Sequence, residues 1–480
     1  MKQLQNFNAL RTDYLLISVF YVLTTSLLSL SFFGFVVVIF QALLLLFLIF
    51  YKPSLAFPYV ILSFGSSIEF NTFINNGQSP LYNLSNVKLF GLNVGIWMFI
   101  IVIPSIIQGI MNLRKKVIFN FWQYIILFGF LTMYFVAISS SFLSYIFTTG
   151  GLSNFDIGYL ISLSYLQLWP LVCLFCSIVY IKINENGLLT LKLTVFYTFI
   201  AVLISSFLIN FVGVRGTYGY SLYYFAPTLI FICPLFLILL KDPFFQISRR
   251  LAIVIFFSFI VLPIILFDLA GGKVIIFTLM ALLLFSKKFK FRNMFFAFIA
   301  MGFLFFVIYS FMSDESLLKS KIDEILSLFN FFSGYWYELL EPSTRFRLDE
   351  FINIFQHYKL NPFFIPTGFG IVSGAPDYIG GYGQVADGSF PGVEYTFNYF
   401  ISYHEICSFL IKYGLMGFAL LFLVLRKAFK FKEKLPFLVV GSIWLILFWG
   451  YSFTLAITGA TILAIGIMEL PSRDLQFNHK

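Results

Sequence analysis

Long apolar runs separated by short polar stretches cover most of the chain. A helix needs about 20 apolar residues to cross a membrane. Fourteen segments approach or exceed that length, namely 14–32, 34–51, 54–71, 90–111, 119–147, 157–181, 191–213, 221–240, 251–268, 270–286, 294–312, 405–425, 435–450 and 452–468. The pattern predicts an all-α polytopic membrane protein with about 14 transmembrane helices (12–14). The segment 54–71 contains Glu69, and a re-entrant segment is the alternative there.

One long connection divides the predicted spans into two groups. Residues 1–312 contain spans 1–11, residues 313–403 form an extracytoplasmic loop, and residues 404–480 contain spans 12–14. Within the loop, apolar residues at helical spacing predict a helix over 315–332 that lies along the membrane surface. A large loop on a rigid scaffold is where function is expected.

Two further elements are predicted in this loop. Residues 343–358 have the pattern of a helix, with Pro342 before a Ser343 cap. The stretch "PTGFGIVSGAPDYIGGYGQVADGSFPG" (366–392) is rich in Gly, Pro, Asp and Tyr, which predicts an irregular loop.

The composition excludes a soluble globular protein. Of 480 residues, 60% are hydrophobic and 11% are charged, and the mean hydropathy is +0.93. Cys173 and Cys176 form a C-x-x-C pair inside a predicted span, which favours buried structural cysteines over redox or zinc chemistry. The first apolar run has no clear small-residue cleavage site, so we expect it to remain as a membrane helix.

Basic residues are distributed unevenly across the predicted membrane. If the N-terminus is cytoplasmic, most of the 31 Lys and Arg residues fall in cytoplasmic connections, as the positive-inside rule requires. Both termini are then cytoplasmic, in a multi-pass protein of the cytoplasmic (inner) membrane whose long loop faces the periplasm or exterior. Eight basic residues fall outside: Lys88, Arg215, Lys273, Lys319, Lys321, Arg345, Arg347 and Lys359.

Five outward-facing residues are candidates for a functional site: Arg215, Lys273, Arg345, Arg347 and His404. Lys and Arg residues on the outer side do not help to set the orientation of the protein in the membrane. A functional role is therefore favoured for them. Snorkelling surface charges are the alternative for Arg215 and Lys273. Salt bridges to Asp349 or Glu350 are the alternative for the two loop arginines. Ordinary solvated side chains are expected at Lys319, Lys321, His357 and Lys359.

These residue types suit an anionic ligand. Arginine offers planar bidentate donors for phosphate oxygens, and His404 can accept a proton near neutral pH. Glu405 can orient His404, act as the base itself, or cap its helix. The chain has no D-x-D pair and no His/Cys cluster, so neither a metal site nor a cofactor is predicted. Cations and a base in an outward cavity suit transfer from a lipid-linked phosphate donor.

Several motifs resemble the O-antigen polymerase and ligase superfamily, most closely the Wzy-type polysaccharide polymerases. They are R-G-x-x-G-Y at Arg215, "STRFRLDEF" at 343–351, "GFG" at 368–370 and "HEICSFLIKYGLMG" at 404–417. The resemblance covers about the last 280 residues, and the first 200 resemble the family only as hydrophobic spans. Lys273 stands where that family often has arginine, and Glu405 stands where asparagine is common.

The resemblance implies a GT-C-like, metal-independent glycosyltransferase that joins undecaprenyl-diphosphate-linked oligosaccharide repeat units on the outer face of the cytoplasmic membrane. Arg215, Lys273 and Arg345 would hold the donor diphosphate. His404 would take the proton of the acceptor hydroxyl, with Glu405 as a further catalytic candidate. The remaining substrate-binding candidates are Arg347, Gly368, Gly370 and Lys412. Arg345 is favoured over Arg347 as the motif arginine, and Lys412 either lines the cavity floor or forms a structural ion pair.

The implied partners are the lipid-linked donor and acceptor, membrane lipids and a chain-length regulator protein, with no nucleic acid. Two alternatives remain open. A ligase would deliver the same donor glycan to lipid A core or another terminal acceptor. A lipid-linked oligosaccharide flippase suits the number of spans, but it needs charges along a central cavity and usually has two related halves. Here the predicted charges collect at the outer ends of the spans.

Overall fold

A computed structural model describes the protein over the ranges 12–20, 34–65, 119–149, 157–198, 342–371, 405–430, 436–448 and 453–470. It also describes the short pieces 23, 88–89, 92–93, 97, 100–103, 238, 242, 244–245, 248, 250–251, 254, 375–376, 378, 395–396 and 399–400. These residues are mostly helical. The predicted spans 221–240, 251–268, 270–286 and 294–312 and the predicted surface helix 315–332 lie almost entirely outside them.

The helices with defined bounds are α1 (Gly34–Tyr51), α2 (Pro53–Gly65), α3 (Phe121–Thr149), α4 (Ile157–Ile183), α5 (Gly187–Thr198), α6 (Pro342–Leu360), α7 (Glu405–Lys430), α8 (Pro436–Phe448) and α9 (Phe453–Met468). A 3₁₀ turn follows α6 at Pro362–Phe364. The strands are two residues each: β1 (Lys88–Leu89), β2 (Leu92–Asn93), β3 (Ala375–Pro376), β4 (Tyr395–Thr396) and β5 (Tyr399–Phe400). β1 pairs with β2, and β5 lies between β3 and β4, all antiparallel.

Most of these helices coincide with predicted ones. The helices predicted at 34–51, 119–147, 157–181, 405–425, 435–450 and 452–468 are confirmed to within a few residues as α1, α3, α4, α7, α8 and α9. The loop helix is confirmed as α6, but Pro342 is its first residue and does not precede a cap. Proline suits that position because its missing N–H would be unpaired there anyway. The start of the predicted span 90–111 is wrong, because Leu92–Asn93 pairs with Lys88–Leu89 in a hairpin.

Two described helical segments are long and apolar enough to cross a membrane, Phe121–Thr148 and Cys407–Lys427. Large apolar side chains on both helices are exposed, among them Phe128, Phe147 and Phe422. Water disfavours such surfaces, whereas lipid chains accommodate them. Residues 121–148 and 407–427 therefore fit a membrane environment both by length and by the side chains that they expose.

Helix α9 lies at the centre of the described bundle. It packs against α8, α4, α2 and α3, and its residues 457–467 are buried on all sides. A helix that is apolar all round is expected in an interior. Two glycines let α8 and α9 approach closely, since a Cβ on Gly441 would lie 2.5 Å from Leu463 N, and Gly466 contacts Leu438. Small residues commonly permit close packing of helices in membranes.

Cationic side chains collect at one end of this bundle. Lys427, near the end of α7, lies 3.9 Å from the ring centroid of Trp122 at the start of α3. Lys182, at the end of α4, lies over the ring of Phe119. Lys52, after α1, forms an exposed ion pair with Asp13 at 2.6 Å. The positive-inside rule predicts the cytoplasmic side for all three lysines. Three residues that the sequence predicts on one side of the membrane thus lie at one end of the bundle.

The same end holds a buried ionic cluster. Lys192 Nζ, in α5, lies 2.7 Å from Asp242 Oδ2 and 2.5 Å from Glu469 Oε1, just after α9. Asp242 is fully buried, and its Oδ1 also accepts a hydrogen bond from Phe244 N at 2.9 Å. Burial raises the pKa of Glu469, although the charge of Lys192 opposes this effect. The cluster ties together three segments that are far apart in the sequence.

Candidate functional site

Helix α7 is broken at Gly414, where φ is 56° and ψ is −154°. That conformation is open essentially to glycine alone. A break frees backbone N–H and C=O groups that a continuous helix would pair four residues apart. Because Gly414 lies inside an apolar span, each freed group needs another partner, and an unsatisfied group in lipid costs several kcal/mol.

The turn formed by residues 361–371, which follows α6, supplies those partners. Three backbone hydrogen bonds join it to α7: Leu415 N donates to Ile365 O at 3.0 Å, Met416 N to Pro366 O at 2.8 Å, and Phe369 N to Ile411 O at 2.7 Å. The Tyr358 hydroxyl donates to Leu410 O at 2.7 Å. Groups on both sides of the break are therefore satisfied by α6 and the turn after it and not by α7 itself.

Two glycines of the G-F-G motif allow the turn to approach so closely. Gly368 and Gly370 have φ values of 76° and 96°. A Cβ on Gly368 would lie 2.6 Å from the carbonyl of Lys412, and one on Gly370 would overlap with the backbone of Ser141 in α3. The motif thus packs against α7 on one side and α3 on the other. These contacts support a packing role for both glycines, which the sequence resemblance assigns to substrate binding.

The docked turn lies well inside both candidate spans, away from the end at which one begins and the other ends. Gly414 follows Cys407, the first residue of one span, by seven residues, and Ser141 precedes Thr148, the last residue of the other, by seven. At a rise of 1.5 Å per residue, each interval is about 10 Å. Measured along α7 and along α3, the turn therefore lies at about the same distance from the two helix ends.

Helix α6 presents its polar residues to the protein interior. Asp349, Glu350, Asn353 and His357 are at most 2% exposed, and Arg345 is half-buried. Residues 345, 349, 353 and 357 are spaced by four, so they lie along one side of the helix. Acidic and basic side chains are almost never fully buried unless they are paired. This row of buried polar residues, which we call the polar face of α6, is the most unusual chemical feature among the described residues.

His357 lies at the deep end of the polar face. Its Nδ1 is 2.7 Å from the Tyr378 hydroxyl, and its ring stacks on Phe369 with centroids 4.0 Å apart. Its Nε2 is buried and has no hydrogen-bond partner within the described residues. The prediction that His357 is solvated is therefore wrong, because the G-F-G turn covers it. Burial lowers the pKa of His357 from 6.5 to about 4, so the ring is neutral at pH 7.

Because the His357 ring is buried and neutral, we expect the folded protein to lose stability in acid. Between about pH 6.5 and about pH 4, the unfolded chain binds a proton that folded His357 excludes, so the free energy of unfolding falls as the pH falls. The loss is at most about 3 kcal/mol, since one pKa unit corresponds to about 1.4 kcal/mol. Melting temperatures in lipid nanodiscs across this range would measure it. His357→Phe should flatten the pH dependence, and an unchanged slope would contradict the prediction.

Tyr378 attaches the glycine-rich loop to α6. Its backbone N–H donates to Asn353 Oδ1 at 2.7 Å, in addition to the contact of its hydroxyl with His357. The nearby strand β3 pairs with β5, which precedes α7. The irregular loop predicted at 366–392 is therefore held at Tyr378 by the polar face of α6.

Lys412 lies in α7, two residues before the break. Its side chain is only 8% exposed. A charge inside a membrane span is costly unless it is paired or hydrated, and it is a functional hypothesis by default. The adjacent Tyr413 donates a hydrogen bond to Gln167 Oε1 in α4 at 2.8 Å, which ties the broken region to a third helix.

The structure brings some of the predicted site residues together. Gly368 and Gly370 lie in the turn, and Gly368 packs against Lys412 of α7, so these three are close together. Arg345 lies on the same polar face of α6 as His357, but about 20 Å along the helix from Tyr358, which contacts α7. Only the backbone is described for Arg347, within α6, and for Glu405, the first residue of α7. Arg215, Lys273 and His404 lie outside the described residues. Their convergence on the site stays a prediction.

Sequence reasoning missed His357, Asn353 and Gly414 as parts of this assembly. The four-residue spacing from Arg345 to His357 was a usable signal for a polar face. The neighbouring Gln356 and Lys359 suggested instead that His357 is exposed. Both lie on other sides of the same helix, so they do not report on the side that carries His357. A glycine inside a predicted span was the signal for the break at Gly414.

Comparison with known proteins leaves the site to be interpreted from its own geometry. No family model, no curated protein and no solved structure matches the chain. Within the ranges that the structure describes, no group of three or more His, Cys, Asp or Glu side chains could hold a metal ion.

Proposed function

We propose that the protein is a membrane polysaccharide polymerase that joins oligosaccharide repeat units carried on undecaprenyl diphosphate. In this reaction the hydroxyl oxygen of the acceptor sugar attacks the anomeric carbon of the donor glycan. The bond from that carbon to the diphosphate oxygen breaks, and undecaprenyl diphosphate leaves. The proton of the acceptor hydroxyl passes to a base, for which His404 remains the candidate, with Glu405 beside it in sequence.

The observation that carries the proposal is the polar face of α6, buried beside a broken span that also contains Lys412. The turn brings α6 and α7 together at about 10 Å below the outer ends of two spans. Buried polar groups at that depth would let a charged headgroup enter a region from which lipid alone excludes it. Lys412 lies at that depth in a mostly apolar protein, and Arg345 lies nearer the outer end of α6, about 20 Å along the helix from Tyr358.

Arg345 and Lys412 suit the donor diphosphate. The leaving group gains negative charge in the transition state, so cations held in a water-poor site stabilise the transition state more than the bound substrate. Arginine can bind two phosphate oxygens at once, whereas lysine acts as a point charge. Arg215, Lys273 and Arg347 are the proposed further contacts of the two phosphates.

The membrane arrangement belongs to the same proposal. A multi-pass, GT-C-like protein with about 14 spans would place both termini in the cytoplasm and the site on the outer face. The grouping of Lys52, Lys182 and Lys427 at one end of the bundle supports this arrangement. The turn and the polar face of α6 lie toward the other end, near Phe147 at the far end of α3.

Substitution of the two described cations tests the proposal. Arg345→Gln and Lys412→Met should each lower the rate of polymer formation by about 10²–10³-fold, or about 2.7–4 kcal/mol, which is typical for one lost transition-state contact. The measurement is the length distribution of glycans that purified protein makes from a lipid-linked repeat unit.

Lys359→Gln provides the matched control, because Lys359 is an exposed cation near the end of the same helix. Its rate should stay close to that of the wild type. Full activity of both Arg345→Gln and Lys412→Met, with normal elution and melting, would contradict the site assignment. Transfer of the glycan to a terminal acceptor without chain growth would identify a ligase instead.

A further inference from the structure

Helix α6 buries its polar face and exposes its apolar face, the reverse of a helix on the surface of a water-soluble protein. Asp349 and Glu350 are 1% and 0% exposed, whereas Phe355 and Phe363, in α6 and just after it, are 65% and 70% exposed. Phe351 and Leu360 are exposed as well. An amphipathic helix turns its apolar face away from water. The outward face of α6 therefore suits a medium of hydrocarbon and not an aqueous loop.

The apolar face of α6 is continuous with the exposed surface of a span. The ring of Phe363 lies 6.4 Å, between centroids, from the ring of Phe147 near the end of α3. Phe147 and the neighbouring Ile146 are themselves exposed. Any lipid that covers this part of α3 therefore reaches the residues that follow α6.

The chain descends into the bundle along α6. Ile354 and Tyr358 pack with Cys407 and Ile411, while the turn after them bonds to residues 411–416 of α7. Both helices therefore proceed in the same direction, from the outer end inward. Irregular backbone at membrane depth is tolerated only where protein satisfies its polar groups, and the break in α7 satisfies those of the turn.

We infer that the C-terminal half of α6 and the turn after it form a re-entrant element embedded in the membrane leaflet at the outer ends of the spans. Its aromatic face contacts lipid acyl chains, and its polar face contacts the protein. Lys359, which is exposed beside Leu360, has a side chain long enough to extend toward the headgroups. The inference concerns the membrane surface, and it holds whether or not the protein transfers glycans.

Spin labels on the full chain in lipid nanodiscs test this inference. Phe355→Cys and Phe363→Cys carry a nitroxide whose collisions with oxygen, which enters lipid, are compared with collisions with a water-soluble nickel complex. Phe128→Cys, exposed on α3, is the lipid reference, and Glu185→Cys, exposed between α4 and α5, is the water reference. Wild-type protein gives the background from its native cysteines, of which Cys173, Cys176 and Cys407 are buried.

Both labels should favour oxygen as the label at position 128 does, and the depth should increase from Phe351→Cys to Phe363→Cys. Leu360→Cys serves as a second position if either phenylalanine variant does not elute like the wild type. Preference for nickel like that at position 185 would overturn the inference. A depth that stays constant or decreases from position 351 to position 363 would overturn the descent into the leaflet.

Discussion

Gly414→Ala should destabilise the protein by about 3–5 kcal/mol and abolish polymer formation. Alanine at this φ and ψ is strained by about 1–3 kcal/mol, and its Cβ would overlap with Gly368 N in the docked turn. Moving the turn away would break backbone hydrogen bonds that are each worth about 1 kcal/mol. Alanine also favours a continuous α7, which would expel residues 361–371. Melting temperature and glycan synthesis in nanodiscs would measure both effects.

Gly129→Ala is the control for this substitution. Gly129 lies in α3 and faces α7, but its Cβ would meet only the end of the flexible Leu420 side chain, at 2.6 Å. The leucine can move, so we expect a small change in melting temperature. Equal destabilisation by Gly414→Ala and Gly129→Ala would show that the turn does not depend on the break in α7.

Lys192→Met should destabilise the folded protein by about 3–5 kcal/mol, the usual effect of removing one partner from a buried ion pair. The substitution leaves two carboxylates, that of the fully buried Asp242 and that of the mostly buried Glu469, without the cation that they share. The melting temperature should recover partly when Asp242→Asn is added, because the second change removes one of the uncompensated charges. Site activity per folded molecule should stay unchanged, since the cluster lies at the opposite end of the bundle.

Lys52→Met is the matched control for the buried cluster. Its ion pair with Asp13 has nearly the same length, at 2.6 Å, but both side chains are partly exposed. Exposed ion pairs contribute about 0–1 kcal/mol, so the change in melting temperature should be small. If Lys52→Met lowered the melting temperature as much as Lys192→Met, burial could not be the reason that the Lys192 cluster contributes more to stability.

The sequence predicted the positions of most described helices, because apolar runs of the required length are a strong local signal. It did not predict where those helices would be broken. The break at Gly414 depends on hydrogen bonds from a segment about 45 residues earlier, and such a partner is not visible in local periodicity. The hairpin at 88–93 was missed for a similar reason, since strands of only two residues leave too little alternation of apolar and polar residues to detect.

The site was predicted in part. Arg345 and Lys412 stood out because charges are rare in this chain and costly near or inside a span. His357 did not, because exposure was inferred from its sequence neighbours while its burial is set by Phe369 of the turn. The inward polar face of α6 could have been anticipated only with the knowledge that lipid, and not water, surrounds the helix.

Polymerisation is tested most directly with purified protein in lipid nanodiscs. An undecaprenyl-diphosphate-linked repeat unit serves as both donor and acceptor, with and without a metal chelator. A polymerase of this kind should produce lipid-linked glycans longer than one repeat unit and release undecaprenyl diphosphate, and the chelator should have no effect. Failure of well-folded protein to lengthen the glycan, under conditions in which it elutes and melts normally, would contradict the proposed function.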